Sequence, residues 1–143
     1  MIKIHRCLLG LLLGLFALPP TSLAHRLDEY LQATLATIEP GEVRLQINLT
    51  PGVAVAEQVL LLIDRDHDGV ISTTEAAAYA KLLMRDLILR VDQRKVELKL
   101  TSSNFPAPTE LRTGSGIIQI EFSATVGPLQ AGGRRMRVTH DCM

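Results

Sequence analysis

Between residues 64 and 75 three aspartates recur at alternate positions, a glycine follows the third, and a glutamate closes the stretch: Asp64-Arg65-Asp66-His67-Asp68-Gly69-Val70-Ile71-Ser72-Thr73-Thr74-Glu75. Four carboxylates gathered this closely repel one another, so the segment calls for a cation that orders it. Each position has a physical use. Asp64, Asp66 and Asp68 present hard, anionic oxygens that a tightly wound loop can converge on one ion. Gly69 permits the sharp turn, and Val70 contributes only its backbone carbonyl. Ser72 adds an oxygen, directly or through a water. Glu75 can clamp the ion with both carboxylate oxygens.

The flanks fit a helix on either side. Val53 to Ile63 ends in the apolar run Val59-Leu60-Leu61-Leu62-Ile63, and helix formers dominate from Thr73 to about Leu87, with Ser72 or Thr73 as the N-cap. Over residues 53–88 the pattern resembles an EF-hand, matching D-x-[DN]-x-[DN]-G-x5-E at every defined position. The resemblance implies calcium as the bound ion. Seven oxygens with a bidentate glutamate suit calcium over magnesium, and an all-oxygen donor set disfavours zinc and copper. EF-hands usually pair through a short strand contact at the position held here by Ile71, and the sequence offers no second loop. Three arrangements stay open: Ile71 packs on the rest of the domain, two chains meet through it as a homodimer, or a partner protein supplies the contact.

Outside this insertion the periodicity is that of strands. Residues 29–38 put Leu31, Ala33, Leu35 and Thr37 on one face, Pro40-Gly41 turns, and residues 42–50 alternate Val43, Leu45, Ile47 and Leu49 with polar partners, predicting a hairpin. Leu87, Leu89 and Val91 alternate, Asp92 to Lys95 turn, and Val96, Leu98 and Leu100 alternate again. Residues 101–109 read as a loop, Ile118 to Val126 as a strand, and Met136 and Val138 as a last one. Aromatic residues are only 3% of the chain, so the core must be aliphatic. The predicted fold class is α+β: a small antiparallel β-sandwich-like domain of about six strands carrying an inserted helix–loop–helix.

Residues 1–24 carry Lys3 and Arg6, a short apolar stretch from Cys7 to Leu18, and small residues at Ser22 and Ala24. This is the three-part pattern of a cleaved export signal, leaving residues 25–143 as one periplasmic or extracellular domain. The apolar stretch is too short to span a bilayer, and the mature chain contains no transmembrane segment. Without Lys3 and Arg6 there are 13 basic against 15 acidic residues, which offers no bulk positive charge for nucleic acid. Cys142 is then the single cysteine and no internal disulfide can form. An exported protein meets steady calcium, for which sites of about 10⁻⁴ to 10⁻³ M suffice, so the expected ion is structural, or fixes the helix angle to present a neighbouring surface to a partner, and is not a signalling switch.

His25-Arg26-Leu27-Asp28-Glu29-Tyr30-Leu31-Gln32-Ala33-Thr34-Leu35, the run Leu49-Thr50-Pro51-Gly52-Val53-Ala54-Val55 and the acidic loop together resemble an extracytoplasmic module of bacterial proteins, found in some of them ahead of HupE/UreJ-type permease segments. That resemblance implies the front end of a membrane permease as one alternative role. A second alternative is an accessory module for nickel or copper, with His25 chelating through its amine and imidazole. Arg134, Arg135 and Arg137 form a basic patch, read as charge on a solvated edge strand. No Ser/His/Asp order, phosphate loop or Cys/His cluster suggests catalysis, so the expected activity is calcium binding by a non-enzymatic domain.

Overall fold

A computed structural model describes residues 28–127 and 135–140 of the chain. The expected export signal, His25, Arg134 and Cys142 lie outside the described residues. The elements run β1 (Tyr30–Glu39), β2 (Glu42–Pro51), α1 (Val53–Ile63), α2 (Thr73–Asp86), β3 (Leu87–Val91), β4 (Arg94–Val96), β5 (Lys99–Asn104), α3 (Pro108–Arg112), β6 (Ile118–Thr125) and β7 (Met136–His140). They form an α+β domain with two antiparallel sheets, ordered β1-β2-β6-β5 and β4-β3-β7. The sandwich-like class expected from the periodicity is the one observed.

The β1–β2 hairpin shows how local chemistry sets register. Pro40 fixes one central φ of the turn, and Gly41 adopts the left-handed φ of 88° that the other requires. Glu39 is thereby placed opposite Glu42, and every later pair follows up to Tyr30 opposite Pro51. On β2 the alternate residues Val43, Leu45, Ile47 and Leu49 are buried, and β6 meets them with Ile118, Ile120, Phe122 and Ala124. Leu87 and Leu89 of β3, with Leu98, join them in one core, which the helices close with Val59, Leu60, Ile63, Tyr79, Ala80 and Leu111. Burying a side chain of this size removes about 1.5–3 kcal/mol of apolar exposure each, so these two central strands carry most of the fold.

Leu31, Ala33, Leu35 and Thr37 share one face as expected; it lies opposite Thr50, Asn48, Gln46 and Arg44, on the polar outer side, and every residue of β1 is exposed. The Pro-Gly register decides this, because the core face of β2 is shared with Tyr30, Gln32, Thr34, Ala36 and Ile38 instead. Two local expectations are corrected. The segment from Val96 to Leu100 is two strands, not one: β4 belongs to the smaller sheet and β5 to the larger, with Glu97 and Leu98 between them. A chain that switches sheets in this way makes the corner of a sandwich. The reading of 101–109 as loop also gives way. β5 continues to Asn104 through a register irregularity after Leu100, and Pro108 then opens the short α3.

Candidate metal centre

The acidic loop lies between two helices, each of which buries one face. In α1 the buried positions are Ala56, Val59, Leu60 and Ile63, the spacing of one helix face, and the helix ends at Asp64, whose N–H donates to the Leu60 carbonyl. In α2 they are Glu75, Ala76, Tyr79 and Ala80. Ser72 is the N-cap. Its hydroxyl accepts from the Glu75 N–H at 3.2 Å while Glu75 Oε2 accepts from the Ser72 N–H at 3.0 Å, a reciprocal capping box that satisfies two otherwise orphaned donors.

Between these ends the aspartates fold the loop around themselves. Asp64 Oδ2 accepts from the Gly69 N–H at 3.0 Å, Asp66 Oδ1 from the Asp68 N–H at 3.3 Å, and Asp68 Oδ1 from the Val70 N–H at 2.8 Å. Two residues take left-handed backbone, His67 at φ 59° and Gly69 at φ 80°. A Cβ on Gly69 would meet nothing within 4 Å, so glycine is needed there for its conformation and not for space.

One carboxylate oxygen from each of Asp64, Asp66 and Asp68 lies within 4.8 Å of the others, a grouping that can hold a metal ion. Asp66 and Asp68 are exposed, whereas Asp64 keeps only 8% of its surface. Its Oδ1 is buried without a hydrogen-bond partner, the sole such side-chain atom among the described residues. An unpaired buried carboxylate oxygen is costly, and here it also sits at the negative end of the α1 dipole. Arg112 feels the charge of Asp64. Its pKa is raised by its hydrogen bond to Glu57 first, at 2.9 Å, and more weakly by the charge of Asp64.

Glu75 stands outside that triad. Oε2 accepts from both the N–H and the hydroxyl of Ser72, and Oε1 accepts from the Arg65 N–H at 2.7 Å. The Ser72 backbone bond, then the Ser72 hydroxyl and the Arg65 N–H, hold the Glu75 carboxyl down at about 2. Ser72 therefore serves here as the helix cap. Val70 is exposed, leaving its side chain uninvolved as the sequence suggests, and His67 is exposed as well. Ile71 is partly buried and packs against the hydrophobic core, as the first of the three arrangements requires.

The structure also groups residues that sequence order keeps apart. Tyr79 of α2, whose burial raises its pKa, shares a 2.6 Å hydroxyl–hydroxyl bond with Tyr30 of β1 and meets Phe105 edge-on at 6.0 Å. Arg90 and Lys95 join Arg137 across the smaller sheet. Neither grouping has a local sequence signal, since each depends on which strands pair. No helix among the described residues is long and apolar enough to cross a membrane. No protein-family model matches the chain, and neither a curated protein nor a solved structure does.

Proposed function

We propose that this chain is a non-enzymatic, exported calcium-binding domain whose EF-hand-like loop takes one ion. The observation that carries the reading is Asp64 Oδ1, a buried, unpartnered carboxylate oxygen beside the oxygens of Asp66 and Asp68. A bound cation gives that atom the partner it lacks and cancels the repulsion among the three charges. The donors are hard oxygens, and the Val70 carbonyl, the Ser72 hydroxyl and the Glu75 carboxylate complete an oxygen set suited to calcium. Recruiting Glu75 requires its carboxylate to exchange a Ser72 or Arg65 contact for the ion. With Ile71 seated on the core, the loop has no need of a second loop, which supports an ion that rigidifies the domain.

Calorimetric titration tests this, with calcium, nickel and copper run in parallel on the wild type, Asp64→Ala and Glu75→Ala. The expected result is a single calcium site abolished by Asp64→Ala and at least tenfold weaker in Glu75→Ala. Calcium binding untouched by Asp64→Ala, or silence toward calcium with tight nickel or copper binding, overturns the reading.

A further inference from the structure

The outer face of the smaller sheet carries a second concentration of charge, of opposite sign. Strand register sets Arg90 of β3 directly opposite Lys95 of β4 on one side and Arg137 of β7 on the other. Three cations thus form one row across three strands, their Cβ atoms about 5 Å apart from neighbour to neighbour, and like charges so placed destabilise a sheet. None of the three has a carboxylate within ion-pair distance among the described residues, where the ion pairs belong to Arg44 and Arg112. Arg135 continues the same face, beside Asp92. That acid is occupied at the end of the β3–β7 ladder, with Oδ1 accepting the Arg135 N–H at 3.1 Å and its own N–H donating to the Arg135 carbonyl. Among the described residues of this face, four cations stand against this one carboxylate.

The row is concave and partly pre-set. Arg90, Gln93, Arg135 and Arg137 line a pocket of about 490 Å³, a volume that suits a small organic anion. Asp92 and Gln93 turn β3 into β4 with left-handed φ values of 48° and 68°, unusual for residues with a Cβ. The consequence is that the Gln93 carbonyl faces back and accepts from Arg90 Nη1 at 3.1 Å, which holds the guanidinium at the pocket.

We propose that this pocket binds a phosphate group, with the guanidinium forks of Arg90 and Arg137 as its principal donors. Guanidinium presents paired N–H donors that match two oxygens of a phosphate, and the anion's negative charge relieves the repulsion across the row. The group can come from a soluble phosphate monoester or from the headgroup of an anionic lipid, and the two differ in how they are detected. This site is separate from the acidic loop and does not depend on its occupancy.

The test is titration of the full chain with glycerol 3-phosphate, followed by NMR or calorimetry at low ionic strength, and co-sedimentation with phosphatidylglycerol/phosphatidylcholine vesicles. Arg90→Gln and Arg137→Gln are compared with Arg44→Gln, an exposed guanidinium on the other sheet, with circular dichroism to confirm folding. Saturable binding in the titration, weakened at least tenfold by Arg90→Gln and by Arg137→Gln but not by Arg44→Gln, supports a soluble ester. Vesicle binding with the same mutational pattern and no soluble binding supports the headgroup. Binding in neither arm, or equal loss in Arg44→Gln, overturns the proposal.

Discussion

Replacing Asp64 by asparagine should change stability in opposite directions with and without calcium. The side chain keeps its size, and its amide oxygen can still accept the Gly69 N–H that Asp64 Oδ2 now accepts. The amide nitrogen then takes the place of the orphaned Oδ1, and the Asp64 charge is removed from the cluster. Carboxylate oxygens within 4.8 Å of each other repel by about 1 kcal/mol at the dielectric of water and about 3.5 kcal/mol at an effective value of 20. Asp66 and Asp68 are exposed, so the lower figure governs, and neutralising Asp64 relieves two such pairs for about 2 kcal/mol. In chelator the variant should therefore melt roughly 10 °C above the wild type. At a calcium concentration about a hundred times Kd the wild type should gain about 2.7 kcal/mol and the variant almost nothing. Scanning calorimetry of both proteins, in EDTA and in calcium, measures all four values. A variant less stable than the wild type in EDTA would show that Oδ1 makes a contact worth more than the repulsion, and the reasoning would fail. A calcium shift of full size in the variant would refute it equally.

Three further outcomes follow from neighbouring atoms. The Glu75 carboxyl is held at about 2 against an ordinary 4.5, so the metal-free fold carries its full contribution above pH 4.5 and loses it as pH falls toward 2; acid unfolding in EDTA should be visibly flatter over that window in Glu75→Gln. Gly69→Ala should destabilise by about 1–2 kcal/mol from backbone strain alone, since its Cβ meets no atom, and urea unfolding should give an unchanged m-value. Phe122→Ala, at a fully buried position of β6, should cost about 3–5 kcal/mol in chemical denaturation, with calcium restoring part of it if the folded form alone binds the ion.

What the sequence made legible is what short-range chemistry determines. The alternation along Val43 to Leu49 and along Ile118 to Ala124 located the two central strands, because each has one face in the core. Ser72 with Glu75 marked the start of α2 through the capping box. The three aspartates of the cluster are close in sequence, so the loop alone brings them together. Features set by long-range pairing were not legible. The same alternation in β1 puts Leu31 and Leu35 on a solvent face, and only the Pro40-Gly41 register tells which face that is. Val96, Leu98 and Leu100 keep a single period across a change of sheet, so periodicity could not reveal the corner at Glu97. Arg135 and Arg137 were visible as a patch, but Arg90 and Lys95 reach the same face through strand pairing alone.

The anchoring of the acidic loop bears on what an ion there can accomplish. Ile63 is fully buried on one side of the loop, Ala76, Tyr79 and Ala80 are buried on the other, and Ile71 packs on the core from within it. The two ends are thus held by a hydrophobic core whether or not an ion is present, and removing either anchor costs several kcal/mol. An ion contributes most where the core does not reach, at Asp66, Asp68 and the left-handed residues His67 and Gly69. Large rotation of α1 against α2 would drag Ile63 and Tyr79 out of the core, and Tyr79 away from Tyr30 on β1, a penalty comparable to the ion's whole binding energy at a millimolar site. An ion bound in such a loop would act on local order, quieting the loop and leaving the helices where the core has set them.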